Sequence, residues 1–351
     1  MKTSLYPLFA ALFSIFSLLA KTEEIQCCCI DELCGEPDLF KRYDQVFSGS
    51  VEFLYWTIAE GALDYALKMK QNAWGPTAAF AQGNFERGSY NVDPGFRLAV
   101  LYFRAPHYWE SRWQYTRMTN RGTNHAEKPG ASQQFLTGTW PQITSAPLSS
   151  ATSHLHFNYN VFDWIIDRVF FPNPHLKLRM LGGGVLAWMN QDWKVFYVDA
   201  AQGSTSIRNR WDFAGAGLKA GTFFDWYWTG DLYMSAGASF GLLVGSYSNR
   251  AKQTTNVRPT ASDDPSIPVR DATYKDARPV VWGQMLVGPS YQKNFCANRL
   301  ELFAGFEMNV WFNVQEVYRS TASTASLAKE TWINTSLLSL YGLTTRATLD
   351  F

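Results

Sequence analysis

The C-terminal segment of the chain alternates between apolar and polar side chains with a period of two residues. Tyr341, Leu349 and Phe351 share one parity, and Arg346 and Asp350 share the other. Successive side chains of a strand point to opposite faces, so this pattern predicts a strand with one apolar and one polar face. Such a strand fits between lipid and water. The segment therefore predicts an outer-membrane β-barrel, with Phe351, Leu349 and Tyr341 as its membrane-insertion signal.

The N-terminal segment predicts secretion. Lys2 precedes an apolar run over residues 5–20, which charged residues follow. This is the layout of a signal peptide, and the run is too short and wrongly flanked for a spanning helix. Ala20 suits the cleavage site but Leu18 does not, so an uncleaved anchor is the alternative. We expect a signal peptide at 1–20, a Cys-rich periplasmic segment at 21–48 and the barrel at 49–351.

Composition narrows the function classes without choosing a fold. The chain has 14 Trp, 17 Tyr and 25 Phe, which suit either a large aromatic core or the aromatic belts of a barrel. A net charge of +1 and the lack of a basic patch interleaved with aromatic residues argue against nucleic-acid binding.

Alternation recurs along the chain, and we expect the polar side of each strand to face the barrel interior. The clearest runs are 299–315 and 231–245, and 51–69 keeps one phase throughout, which predicts a single long strand. A change of phase at Gly182–Gly184 predicts a β-bulge. Shorter or weaker runs occur at 95–103, 109–116, 154–161, 176–180, 213–220, 278–292 and 341–351.

The connections between these runs fall into two classes. Long polar segments lie at 70–94, 119–152, 196–208, 247–277 and 319–336. Short ones containing Pro, Asn, Asp or Gly lie at 104–107, 171–175, 229–231 and 294–299. The two classes alternate under about ten strands, which predicts short periplasmic turns, long outer loops and periplasmic termini. About twelve strands would require an extra hairpin within 49–69 or 70–94.

A soluble β-sandwich is the alternative fold. Its strands also alternate, but they usually run about five or six residues, which is shorter than several runs here. A sandwich also gives no reason for long and short connections to alternate.

The cysteines suggest cross-linking. Cys27, Cys28, Cys29 and Cys34 form a cluster, and Cys296 lies in a predicted periplasmic turn. All five would face an oxidising compartment. The spacing lacks the usual zinc pattern, local disulfides remain an alternative, and the odd count leaves at least one thiol unpaired or linked to another chain. We hypothesise disulfide links to other envelope proteins.

Several short motifs resemble a known family. The motifs are 51–56 with 63–66, Asp93 to Arg97, Gly305 to Glu307 leading to 310–312, and the ending 338–351. Together they resemble the major-outer-membrane-protein-like family of legionellae and environmental chlamydiae. The resemblance implies an abundant surface barrel regarded as a porin or adhesin, with no catalytic residues to transfer. It also implies that the cysteine cluster takes part in a disulfide-linked envelope.

Catalytic motifs give little support to an enzyme. Gly237 to Gly241 matches the nucleophile pattern G-x-S-x-G, but it lies within a predicted strand where that motif requires a sharp turn. His154 and His156 share a face and lack an evident third metal ligand. Glu301 and Glu307 are better explained as charged wall residues. We expect no catalytic site, no metal and no cofactor.

Two function classes therefore lead, with a hydrolase as a weak third. The first is passive diffusion of small polar solutes through a lumen that about ten strands would leave narrow or partly plugged. The second is a structural or adhesive surface protein that contacts host ligands through 119–152 and 247–277. Besides lipid, a homo-oligomer is a further expected partner. The predicted pore-lining residues are Arg97, Lys177, Arg179, Lys219, Glu301, Glu307 and Arg346.

Overall fold

The computed structural model describes eight stretches of the chain, and all of its regular structure is β. The stretches are 45–69, 83–104, 108–131, 134–140, 147–256, 270–295, 298–320 and 331–351. Across these stretches there is no helix long and apolar enough to cross a membrane. The predicted signal peptide and all five cysteines lie outside the described residues.

Thirteen antiparallel strands build one sheet. In chain order they are β1 Gln45–Glu60, β2 Asp64–Met69, β3 Gly83–Arg87, β4 Asp93–Arg104, β5 Trp109–Glu127, β6 Phe135–Gly138, β7 Leu148–Asn173, β8 Leu176–Asp199, β9 Ser204–Tyr227, β10 Leu232–Thr255, β11 Arg270–Phe295, β12 Asn298–Ser320 and β13 Thr331–Asp350. β1 begins four residues before the predicted barrel boundary.

Ten of these strands close into a barrel, which confirms the predicted fold and strand number. β1 pairs with β4 along one edge and with β13 along the other. The ring runs β1-β4-β5-β7-β8-β9-β10-β11-β12-β13 and returns to β1. Phe47 and Phe351 exchange two backbone hydrogen bonds of 3.1 and 2.9 Å next to this seam.

The three remaining strands form a small sheet beyond the end of β1. β2 pairs with β3 and β6, and β6 reaches β7 where Leu136 lies opposite Leu148. The prediction of one strand over 51–69 is wrong, because the chain turns at Ala62, whose φ is 58°. Leu63 and Tyr65 keep the apolar parity because they are buried in this small sheet. The β2–β3 hairpin lies outside the ring, so the twelve-strand alternative does not apply.

The turns after β7 and β9 lie on the same side of the barrel as both ends of the described chain, and the turn at 200–203 lies on the opposite side. β7 and β8 are joined after Asn173, and β9 and β10 after Tyr227. Short turns mark the periplasmic side of such barrels, so the ends of the described chain lie there. The predicted long loop 196–208 is wrong, because only residues 200–203 separate β8 from β9. The Asp199 carboxylate tightens this turn by accepting backbone hydrogen bonds from Ala201 and Gly203, at 2.8 and 2.7 Å.

The outward surface of the barrel changes polarity along the strands. Nearer the periplasmic turns, outward side chains such as Val51, Leu218 and Leu242 are apolar and exposed, and we call this part the membrane belt. Beyond it the strands continue into what we call the outer extension, whose outward side chains are polar, as at Arg210 and Arg250. The strands of the outer extension cover much of the predicted loops 119–152 and 247–277. For the residues in these strands, the prediction of a loop is wrong.

The inward surface of the outer extension is apolar, which corrects the expected orientation of residues 154–161. Leu155, Phe157, Tyr159 and Val161 point inward and are buried, while His154 points outward with the polar residues of β7. The reason is that this part of the barrel stands in water on its outside, so its apolar side chains can be buried only within. They belong to a core that includes Trp56, Tyr90, Trp193, Trp211, Leu243, Tyr247, Trp282 and Trp311.

A β-bulge occurs in a different strand from the one predicted. At Gly182–Gly184 the pairing of β8 is continuous with β7 and β9, so the predicted bulge is wrong. A Cβ atom at Gly183 would collide with the Trp164 carbonyl oxygen, so glycine there permits close approach of the neighbouring strand. One irregularity within the ring lies in β12, where Asn313 has a φ of 62° and Val314 is turned into the core.

The reversal of polarity predicts unequal effects at two adjacent positions of β7. Phe157→Ala should lower the free energy of unfolding by about 3–5 kcal/mol, because it opens a cavity in the core. His156→Ala, on the outward face, should change it by less than about 0.5 kcal/mol. Urea unfolding of the folded chain in detergent micelles, followed by tryptophan fluorescence, measures both. Equal effects would contradict the inward packing of Phe157.

Candidate functional site in the barrel interior

A network of buried polar side chains crosses the barrel within the membrane belt, and we call it the central polar layer. Its members come from nine of the ten ring strands and are joined by hydrogen bonds. They are Glu52, Arg97, Gln114, Thr116, Asp163, Lys219, Ser239, Gln284, Glu307, Asn309 and Thr344.

Arg97 pairs with two carboxylates of this layer. Its Nη1 donates to Glu52 at 2.6 Å, and its Nη2 donates to Glu307 at 2.7 Å. Its Nε donates to Thr116 at 2.9 Å, and its guanidinium lies 5.5 Å from the centre of the Trp56 ring. Charge-assisted bonds of this kind are among the strongest in proteins, and they give both buried carboxylates a counter-charge.

Gln284 continues the layer from Glu307 toward β9. Its amide nitrogen donates to Glu307 at 2.6 Å, while its oxygen accepts from Lys219 and Ser239 at 3.1 and 3.2 Å. Lys219 also reaches Asp163 at 3.4 Å. The ammonium of Lys219 therefore lies between a carboxylate and an amide, 4.4 Å from the centre of the Trp282 ring.

β8 leaves room for this layer. The residue opposite Lys219 on β8 is Gly183, which has no side chain to occupy the interior. The other members reach the same layer because they occupy inward positions of adjacent strands. Glu52, for instance, lies opposite Arg97 on β4 and opposite Arg346 on β13. The strand register thus assembles the network.

A second charged cluster lies between the central polar layer and the periplasmic turns. Arg112 and Arg179 contact Glu110 at 2.8 and 3.5 Å. Arg346 pairs with Glu301 at 2.8 Å, and Arg299 pairs with Asp350 at 2.5 Å. A cavity of about 60 Å³ remains among Glu110, Asp167, Arg179, Asp225, Glu301 and Arg346. A space of this size holds ordered water molecules.

Aromatic side chains fill the interior on the outer side of the central polar layer. Tyr159 on β7 and Trp311 on β12 have ring centres 6.0 Å apart, although their strands lie on opposite sides of the barrel. Trp282 packs on Trp311 at 5.5 Å, and Phe157 packs on Trp211 at 5.8 Å. Side chains therefore meet across the interior at this level.

The seven predicted pore-lining residues all point into the barrel interior. Arg97, Lys219 and Glu307 belong to the central polar layer. The other four, Lys177, Arg179, Glu301 and Arg346, belong to the periplasmic cluster or lie beside it. Sequence reasoning missed their partners Glu52, Glu110, Asp163 and Gln284, which also occupy inward positions of the strands.

The remaining predicted residues lie on the outside or beyond the described chain. Leu349 and Phe351 are exposed on the lipid side, and Tyr341 is partly exposed. Ser239, the centre of the G-x-S-x-G match, lies within β10 and donates to Gln284, away from any strand-to-helix turn. Among the described residues no three His, Cys, Asp or Glu side chains form a potential metal site. Cys27, Cys28, Cys29, Cys34 and Cys296 lie outside the described residues.

A closed ring with an apolar belt defines a β-barrel of the outer-membrane class. The model of the Legionella pneumophila major outer membrane protein precursor family matches residues 42–351. The chain belongs to this family, and it is an outer-membrane protein. A comparison with curated protein sequences finds no match.

Solved barrels resemble the chain only distantly. The outer-membrane protease OmpT of Escherichia coli is 10% identical, with a TM-score of 0.41, over 87% of this chain and 96% of that one. A Pseudomonas aeruginosa FadL homologue is 10% identical, with a TM-score of 0.29, over 90% and 92%. The toluene transporter TodX of Pseudomonas putida is 9% identical, with a TM-score of 0.26, over 90% and 92%. These similarities identify no function for this chain.

Removal of Arg97 tests the central polar layer. Arg97→Met should lower the free energy of unfolding by about 3–5 kcal/mol, because it leaves Glu52 and Glu307 buried without their counter-charge. Adding Glu307→Gln should recover part of this loss. Lys68→Met removes a partly exposed ion pair with Glu86 and should cost less than about 1 kcal/mol. Urea unfolding in micelles compares the variants, and an Arg97 effect no larger than that of Lys68 would contradict the assignment.

Proposed function

We propose that the protein is a structural component of the outer membrane, a barrel whose interior is closed to solutes. The observation that carries this proposal is the contact between Tyr159 and Trp311 across the full width of the barrel. It lies directly beyond the central polar layer, so two different kinds of barrier stand in series.

The energetics of the interior support a closed barrel. A conducting pore needs charged groups that face water and attract a passing ion. Arg97 and Glu307 instead neutralise each other in an almost fully buried position. A solute crossing this level would have to break these hydrogen bonds and then displace the aromatic core. A barrel with about ten strands is close to the size at which side chains alone fill the interior.

Passive diffusion of small polar solutes is the second candidate. Three of the predicted pore-lining residues, Arg179, Glu301 and Arg346, line the cavity near the periplasmic turns. These charges would act on a solute if the outer part of the interior opened. Because Ser239 is buried in the central polar layer, we propose no catalytic role for it.

Planar bilayer recordings separate the two candidates. The unmodified protein should give no stable conductance steps. Steps should appear when Tyr159→Ala and Trp311→Ala are combined with Arg97→Ala and Glu307→Ala, because only then are both barriers removed. Trp109→Ala, which removes an outward tryptophan, should remain silent. Steps from the unmodified protein that change with Lys177→Glu and Arg179→Glu would favour diffusion and overturn the closed barrel.

Surface adhesion is compatible with a closed barrel. The strands of the outer extension include the described parts of 119–152 and 247–277 and continue away from the membrane belt. We propose these segments as the contacts for host-surface ligands. Self-association of the barrel stays a prediction.

Cross-linking through cysteine is a separate proposal. Gel electrophoresis of isolated envelopes without reductant should show a species of higher mass that reductant converts to the monomer. Replacing Cys27, Cys28, Cys29 and Cys34 by Ser should abolish this species. The separate variant Cys296→Ser shows whether the cysteine of the predicted periplasmic turn contributes to the cross-link. A monomer under both conditions would contradict the proposal.

A further inference from the structure

The outward face of the outer extension carries a group of positive charges on three neighbouring strands. We call this group the basic array, and its members are Lys194 on β8, Arg208 and Arg210 on β9, and Arg250 and Lys252 on β10. Their order follows from the strand register. Arg208 lies opposite both Lys194 and Lys252, and Arg210 lies opposite Arg250.

Three directly opposed pairs of cations are costly for a sheet. Opposed like charges destabilise a strand pair, whereas opposed unlike charges stabilise it. Nothing in the backbone requires cations at these positions, because they point outward and take no part in the core. The arrangement is accounted for when a shared anion binds above the three strands and offsets the repulsion.

Carboxylates inside the array neutralise it only partly. Asp192 binds Arg208, and Asp271 binds Arg250, each through two hydrogen bonds. Asp212 contacts Arg210 at 3.2 Å. The hydrogen bonds from Arg250 also lower the pKa of the Asp271 carboxyl, so this group stays ionised in mildly acidic surroundings. Five cationic and three acidic side chains leave a net charge of +2 on the array.

The position of the array selects the kind of anion. Ala214 and Val244 are the last apolar outward residues of β9 and β10 before it. Arg210 lies four residues beyond Ala214 toward the outer end of β9, which is about 10 Å in height for a strand tilted as in other barrels, and Arg250 lies six residues beyond Val244, which is about 15 Å. Long arginine and lysine side chains can reach down toward a membrane interface over such a distance. The lower row of the array, Arg210 and Arg250, therefore lies within reach of the lipid headgroups.

We propose that the basic array binds the phosphate groups of phosphorylated glycolipids in the outer leaflet. Arginine binds phosphate through paired hydrogen bonds, and two rows of cations suit a headgroup with more than one phosphate. The lipid chains would lie along the membrane belt beneath. A soluble polyanion could bind the same cations, but only a lipid would also contact the neighbouring apolar belt and so bind more tightly.

Native mass spectrometry of the folded full chain in detergent tests this proposal with lipid A as the probe. The unmodified protein should retain bisphosphorylated lipid A and bind its dephosphorylated form at least tenfold more weakly. Arg210→Gln, Arg250→Gln and Lys252→Gln combined should weaken binding of the bisphosphorylated form at least tenfold. Arg117→Gln with Arg121→Gln, two exposed outward arginines on β5, is the matched control and should leave binding unchanged.

Three outcomes would overturn the proposal. These are equal retention of both lipid A forms, equal loss in the control variant, and displacement of lipid A by millimolar inorganic phosphate. Binding of heparin without preference for phosphorylated lipid would likewise assign the array to a soluble polyanion. Heat-dependent migration of each variant on gels shows that it has folded, so a loss of binding cannot reflect misfolding.

Discussion

Closure of the backbone hydrogen-bond network is the constraint on which the rest of this structure depends. A strand edge exposed to lipid would leave a row of unpaired amide and carbonyl groups, each costing several kcal/mol. β1 removes both edges by pairing with β4 and β13. Glu52 reinforces this seam from within, because its carboxylate lies 2.6 Å from Arg97 on β4 and 4.0 Å from Arg346 on β13. Closure and interior charge pairing are therefore coupled at one strand.

The surroundings of the ring then determine which side chains can fill it. In the membrane belt, the apolar side chains of each strand face the lipid outside. The residues between them therefore face inward, and these are polar groups such as Arg97 and Glu307. In the outer extension, the polar side chains of each strand face water outside. The apolar side chains, such as Phe157 and Trp311, therefore face inward and fill the interior. The same alternation of strand geometry thus yields a polar layer and an aromatic core one above the other, and in β7, β8, β9 and β10 the strand register does not change at the boundary.

This division also explains what the sequence predicts well. The outward residues of the belt, such as Leu242 and Phe306, follow from period two alone, and the seven charged residues expected inside are found inside. The reversal at Phe157 could not be predicted, since alternation shows two faces but not which one meets water. The pairing of Arg97 with Glu307 could not be predicted either, because it depends on the closure of the ring, which brings together residues 210 positions apart in the chain. The turn at Ala62 could not be predicted either, because the residues buried in the small sheet after it continue the alternation of apolar and polar residues without a break.

The closed interior and the basic array follow from the same reversal. Because the outer extension buries its apolar residues inside, its outward face is free to carry charge within reach of the headgroups. A barrel that placed hydrocarbon outward along its whole length would have no place for Arg210 and Arg250 beside the membrane. The aromatic core therefore supports the outer extension as a rigid wall, and that wall holds the cations at a fixed spacing. Under the two proposals, an open interior would loosen this spacing, so solute passage and ordered lipid binding would place opposing demands on the same strands.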